Sequence, residues 1–148
     1  MHNIIPVDDS VMGEFVAMAL ELWSDNDEKT FTAEMADTLA DPEHHAAFLY
    51  AVDGHYIAFV LLSIRSDYVE GSDSSPVGYV EGIYVKPPHR LKGISKELVR
   101  RGERWTKEKG CVQMGSDIEQ GNDASYQFHL KAGFKEANRI SCFIKTIE

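Results

Sequence analysis

The sequence predicts an α+β domain, and three observations carry the prediction. Apolar residues recur at helical spacing near both ends of the chain. Two apolar, aromatic-rich segments flank Asp53-Gly54-His55 as the arms of a β-hairpin do. A third strand-like run, Val77 to Val85, ends at Lys86-Pro87-Pro88 shortly before a long amphipathic helix. At 148 residues the chain has the length of one ordinary domain. A chain of that size buries about two thirds of its unfolded surface, enough for a core without disulfides or metal. No repeat, linker or low-complexity tract interrupts the order, so residues 1–148 are expected to form a single domain.

The elements follow in order. Val11, Phe15, Met18, Ala19 and Leu22 share a helical face, with Ser10 as the expected N-cap and an end near Trp23. The acidic stretch after Trp23 is not expected to continue that helix; a second one is expected over Thr32–Ala40, stopping before Asp41-Pro42. Ala47–Val52 and Tyr56–Ile64 form the hairpin. The polar segment Ser66–Pro76 is long for a connection between strands, and long loops are often functional. Val77–Val85 is a strand, and Gly93–Lys109 a helix with Ile94, Leu98, Gly102 and Trp105 on one face and Gly110 as its cap. Cys111–Met114 reads as a short strand leading to Gly115-Ser116-Asp117. Ala124, Phe128 and Ala132 mark a last helix closed by Gly133, and Arg139–Thr146 a final strand.

Composition narrows the function. Charged residues make up 26% and hydrophobic ones 43%, and the net charge is −9. An acidic chain lacks the basic face on which non-specific nucleic-acid binding depends, and it suits a cationic partner better. The longest apolar run, Tyr56–Ile64, is far short of the roughly 20 residues of a membrane-spanning helix. The N-terminus has no signal-peptide pattern, and Cys111 and Cys142 are too few for a disulfide framework. The expectation is a cytoplasmic protein with reduced thiols and no membrane partner. His44 and His45 are adjacent and project apart, so no metal site is expected.

Chemistry concentrates where the third strand meets the long helix. The turn Arg90-Leu91-Lys92-Gly93-Ile94-Ser95 precedes Lys96 at a helix N-terminus, whose N–H groups lack intrahelical partners and attract anions. Gly93 allows close backbone approach, Ser95 is small, and Arg90, Lys92 and Lys96 add positive charge. By shape alone the turn fits a pyrophosphate or a plain basic helix cap equally well.

Arg-x-x-Gly-x-Ser after a strand resembles the pyrophosphate loop of the GNAT acetyltransferases, although Ser95 stands where that family usually has Gly or Ala. The resemblance extends over the whole chain, through the order of its elements to Asn122 and the closing His129–Phe134 segment. It implies a mixed, mostly antiparallel sheet with splayed central strands flanked by about four helices. It also implies acetyl-CoA as cosubstrate, held by the loop, by Asn122 and by the exposed strand edge at Ile83, Tyr84 and Val85.

Leu22-Trp23, Ser63–Gly71, Ser74–Val85 and Gly115-Ser116-Asp117 are similar to one subgroup, the aminoglycoside 6′-N-acetyltransferases. That resemblance implies that Trp23, Tyr68, Glu81 and Asp117 line the acceptor site, that Asn138 stands where a further acid is often found, and that the enzyme is a homodimer. The residue types suit the chemistry by themselves. A polycationic acceptor calls for carboxylates, which Asp67, Glu70, Asp73, Glu81 and Asp117 supply, and Trp23 and Tyr68 can stack on sugar rings. Glu81 is the most pointed of these, because it interrupts an apolar strand.

Acetyl transfer to an amine needs a proton acceptor, for which Asp117 and Glu81 compete, and an oxyanion donor, expected at the Val85 N–H. The leaving thiolate can take a proton from His129 or Tyr126, or leave unassisted. Cys111 and Cys142 lack an adjacent base, so no covalent intermediate is expected. Three functions fit: acetylation of the 6′-amine of aminoglycosides, conferring resistance; acetylation of another cationic amine; or coenzyme A binding without catalysis.

Overall fold

The chain enters its sheet at once. In the computed structural model, which describes residues 1–148, β1 (His2–Pro6) pairs antiparallel with the strand over 45–52. Nothing in His2-Asn3-Ile4-Ile5-Pro6 alternates as a half-buried strand does, and it is not among the elements read from the sequence. A short 3₁₀ turn at Asp9–Val11 leads into α1 (Met12–Leu22). Asp8 rather than Ser10 caps this start, its carboxylate accepting from the Ser10 N–H at 2.9 Å. α2 (Glu28–Leu39) begins four residues ahead of expectation, because Asp27 accepts from the Thr30 N–H and hydroxyl at 3.0 and 2.9 Å. The acidic stretch after Trp23 is therefore a helix start, where carboxylates suit both the free N–H groups and the dipole.

β2 (His45–Val52) and β3 (His55–Arg65) form the expected hairpin. Asp53 and Gly54 both take positive φ, 48° and 80°, as a two-residue turn between twisted strands requires. β4 (Val77–Val85) has the expected bounds, and a 3₁₀ turn at Pro87–His89 connects it toward α3 (Ile94–Glu108). β5 spans Met114–Ser116, not Cys111–Met114. Cys111 is instead consumed in ending α3: Gly110 takes φ 87°, its N–H bonds to the Lys107 carbonyl, and the Cys111 N–H reaches back to Thr106.

The sheet order is β1-β2-β3-β4-β5, antiparallel except for the parallel β4–β5 pair. Phe15, Met18 and Ala19 of α1 and Phe31 of α2 pack with Leu49, Phe59 and Leu61 on one face. Phe15 meets Phe59 edge-on at 5.3 Å. Each such fully buried side chain contributes about 1.5–3 kcal/mol. α3 covers the other face, where Leu62 lies against Gly102 and Arg101 stacks on Phe48.

One irregularity in β4 positions everything that follows. Leu61 pairs with Gly82 but Leu62 pairs with Val80, so Glu81 is the extra residue of a β-bulge. Side chains alternate along a strand, and an extra residue reverses the alternation beyond it. Accordingly Gly78 faces Thr106 of α3, whereas Gly82 faces Trp23 at the end of α1. At Gly78 a Cβ would fall 2.1 Å from the buried Thr106 methyl. Gly78→Ala is therefore expected to cost about 1–3 kcal/mol by overpacking and to lower Tm by several degrees in a thermal melt. An unchanged Tm would contradict this packing.

These elements make up a unit over 1–117; residues 118–148 form a second. The second holds α4 (Asp123–Lys131), capped by Asn122, which accepts from the Ser125 N–H at 3.2 Å. Gly133 follows with φ 98°. The expected last strand at Arg139–Thr146 is not formed: the segment has no ladder partner, and Ile140, Phe143 and Ile144 are exposed. No helix is long and apolar enough to cross a membrane.

Candidate active site

The bulge sets Glu81 beside the end of β3, where its carboxylate is fully claimed. Arg65 donates to it from Nε at 3.0 Å and from Nη2 at 2.7 Å to Oε1 and 2.8 Å to Oε2. The Ser63 hydroxyl adds a bond at 2.5 Å. Burial alone would lower the affinity of Arg65 for its proton, but the bonds and charge of Glu81 outweigh it and hold the guanidinium above its ordinary range. Glu81 is thus one half of an ion pair rather than an open anion.

The second carboxylate is held differently. Asp117 directly follows β5, so the two-residue shift of that strand's end brings it to the strand end. Its Oδ2 accepts from the Tyr79 hydroxyl at 2.6 Å. Gly115 makes room for this: a Cβ there would lie 3.1 Å from the Tyr79 ring and 2.9 Å from Val69. Burial, then the hydrogen bond and charge of Asp117, push the Tyr79 phenol well above the ordinary tyrosine range, with Arg65 pulling the other way. Arg65 also lies 3.5 Å over the Tyr79 ring, so one guanidinium joins the surroundings of both candidate carboxylates.

Around this pair the aromatic residues divide. Trp23 packs near Phe31 and Phe59, each at 6.0 Å, and its ring lies so close to β4 that a Cβ on Gly82 would come within 2.4 Å. It is half-buried, so it serves the core and keeps one side open. Tyr68 is 73% exposed on the Ser66–Pro76 loop. That loop is fixed by Val69, buried with Val77 and Tyr79, and by Gln113, whose side-chain oxygen accepts from the Asp73 N–H and the Ser74 hydroxyl. Asp67, Glu70 and Asp73 are exposed on the same loop, unlike the half-buried Glu81 and its Arg65 partner.

The other end of β4 offers a different chemistry. β5 pairs with β4 only from Gly78 to Val80, which leaves one edge of residues 81–85 without a strand neighbour. The Lys86 N–H bonds to Ile57 at 2.9 Å. By the alternation of an antiparallel ladder, Tyr84 then bonds toward β3 while Ile83 and Val85 turn their backbone groups to the open edge. Tyr84 is accordingly an edge residue by position but not by hydrogen bonding. The Val85 carbonyl accepts from Arg90 Nε at 2.8 Å, which leaves its N–H for another partner.

Arg90 thereby ties the loop to the strand that it follows. Leu91 and Gly93 both have positive φ, 63° and 81°, and Gly93 begins α3 with no side-chain cap. The first N–H groups of α3, near Ser95 and Lys96, are presented beside an exposed Lys92, and space is open where a Cβ on Gly93 would stand. Ile94 is buried and anchors the turn. Backbone donors, positive charge and open space beside Gly93 make a turn suited to a pyrophosphate.

The profile of the acetyltransferase (GNAT) family matches residues 14–134. The chain belongs to the GNAT family. Among GNAT proteins it is 33% identical to aminoglycoside N(6′)-acetyltransferase type 1 of Serratia marcescens, over 97% of this chain and 99% of that one. It is 37% identical to the protein of that name from Acinetobacter haemolyticus, over 99% of each. The solved structure of AAC(6′)-Iy in complex with the bisubstrate analogue CoA-S-monomethyl-acetylneamine is similar with a TM-score of 0.95, at 33% identity and 99% coverage of both chains. The GNAT architecture expected from the sequence is the one observed.

Within the second unit, His129 Nδ1 lies 2.7 Å from the Ser125 carbonyl, which can only accept, so that nitrogen carries the hydrogen. In the neutral ring Nε2 is then an acceptor, and donation from it requires the imidazolium. The Tyr126 hydroxyl points to Glu136 at 3.4 Å, and the Asn138 side-chain oxygen accepts from the Arg139 N–H. Three residues of the first unit, Ser63, Arg65 and Tyr79, have no role in the sequence reading although they lie in the stretches similar to the aminoglycoside subgroup. Tyr79 reads as one more aromatic strand residue. Arg65 carried a signal: it closes an apolar strand next to the strand in which Glu81 also breaks the pattern.

Proposed function

We propose that the protein transfers the acetyl group of acetyl-CoA to the 6′-amine of aminoglycosides by direct attack within a ternary complex, conferring resistance. The observation that carries this is the pairing of an uncapped, glycine-opened helix start after β4 with two carboxylates, Glu81 on β4 and Asp117 after the neighbouring β5, in a chain so similar to aminoglycoside 6′-acetyltransferases. Acetyl-CoA supplies a thioester carbonyl that a neutral amine can attack. The residues for its phosphates are Arg90, Leu91, Lys92, Gly93, Ile94, Ser95 and Lys96; Ile83 and Val85 bind its arm along the open edge. Trp23, Tyr68, Glu81 and Asp117 contact the acceptor.

Asp117 receives the amine proton, directly or through water. Glu81 is less available, because four donor contacts from Arg65 and Ser63 already engage its carboxylate oxygens. The Val85 N–H stabilises the oxyanion. Coenzyme A leaves as the thiolate or, once protonated, as the thiol.

The chain works as one catalytic domain, a reading supported by a family match that runs from α1 through α4. It works as a homodimer: Ile140, Phe143, Ile144 and Ile147 are 62–102% exposed, an apolar segment suited to burial against a second copy. The free thiols Cys111 and Cys142 fit a reducing, cytoplasmic setting.

An acetyl-transfer assay over amines with and without a 6′-amino group tests the reading. Turnover is expected for 6′-amino aminoglycosides, at least tenfold slower for 6′-hydroxy analogues and for simple polyamines. Acceptor affinity is expected to weaken as salt rises. Equal turnover of a simple polyamine would point to another acceptor, and no turnover of any amine to coenzyme A binding alone.

A further inference from the structure

We propose that Tyr79 is a positioning residue that aims the Asp117 carboxylate, and that Arg65 fixes Tyr79 in turn. The proposal rests on Asp117 as the proton acceptor. The Tyr79 side chain has almost no freedom: it is 7% exposed, packed with Val69 and Val77, and covered on one ring face by Arg65 at 3.5 Å. Arg65 is itself locked by three contacts to Glu81. The phenol has one place to donate, Asp117 Oδ2 at 2.6 Å. Because its acidity is suppressed, it remains a donor across the working pH range.

A carboxylate with one oxygen held by an immobile donor presents its other oxygen over a narrower range of directions. That is the requirement for proton transfer, where a misplacement of about 1 Å costs on the order of 100-fold. The charged and titratable groups facing Tyr79 are Arg65 from β3, Glu81 from β4 and Asp117 after β5. The loop contributes the apolar Val69.

Tyr79→Phe keeps the ring, its packing and the Arg65 stack, and removes only the donor. The expected result is about a tenfold fall in kcat with KM for the acceptor near wild type, because the carboxylate keeps its charge and place but loses the donor that aims it. KM for acetyl-CoA and Tm are expected to stay near wild type. Arg65→Gln, measured beside it, is expected to lower kcat in the same way, since it releases the Tyr79 ring. The double variant Tyr79→Phe/Asp117→Asn is expected to be no slower than Asp117→Asn alone.

A wild-type kcat in folded Tyr79→Phe, with Asp117→Asn inactive, would overturn the positioning role and leave the base in place. Should Tyr79→Phe not fold, a wild-type kcat in Arg65→Gln overturns the proposal instead. Wild-type turnover in Asp117→Asn would remove the base itself, a different failure with a different signature.

Discussion

Asp117→Asn is expected to fold, to bind acetyl-CoA as the wild type does and to lose transfer to 6′-amino acceptors by about 10²–10⁴-fold, the range of a general base. An ammonium has no lone pair for attack, so some group must take its proton. The substituted amide would keep the shape and accept from Tyr79 through its side-chain oxygen, but it has neither the charge nor the basicity. The residual rate is expected to rise with pH as solvent hydroxide replaces the side chain. Glu81→Gln separates the two carboxylates. It leaves the half-buried Arg65 without its counter-charge, so its expected signature is a lower Tm and weaker acceptor binding with the acid limb largely retained. A wild-type rate for Asp117→Asn across the pH range would contradict the assignment, and the same loss of the acid limb in Glu81→Gln alone would transfer it to Glu81.

Gly93→Val is expected to raise KM for acetyl-CoA by at least tenfold, with kcat at saturation and acceptor KM changed far less. Two effects act together. Gly93 has φ 81°, a conformation that costs other residues about 1–2 kcal/mol and β-branched ones the most. Its Cβ direction is also empty of protein, so the added methyls enter the space that a pyrophosphate would use. The empty surroundings make the test clean, because no core contact is broken and the variant is expected to keep its helix by circular dichroism. Gly93→Ala should fall between wild type and Gly93→Val. Unchanged coenzyme A affinity in folded Gly93→Val would contradict the phosphate cradle.

What could be read from the sequence depended on whether local chemistry decided the structure. Asp53-Gly54 can be little else than a tight turn, and Val77–Val85 is bounded by Pro on both sides, so the hairpin and β4 were legible. β1 was not, since His2–Pro6 is a strand only because β2 offers it a ladder. The same dependence works in reverse at Arg139–Thr146, whose apolar residues promise a strand that has no partner within the chain. The acidic start of α2 was hidden because the carboxylates that discourage a helix interior favour its first turn. At the site, Gly93, Glu81 and Asp117 stood out as residue types. The Arg65 and Tyr79 contacts did not, because they arise from strand register rather than from neighbours along the chain.

The bulge at Glu81 gives β4 something like a reading frame. Its first half addresses one face of the sheet with even-numbered residues, and its second half addresses the opposite face with them, the single uncounted residue making the change. A one-residue deletion at this point would shorten the chain hardly at all. Yet every later residue of the strand would be translated onto the wrong side: Gly82 would no longer lie beneath Trp23, and Ile83 would exchange sides with Tyr84. Loop lengths elsewhere in such a fold can drift over evolutionary time. The length between Gly78 and Val85 cannot, unless a second indel restores the frame, so homologous chains are expected to align across this segment without gaps even where their residues differ.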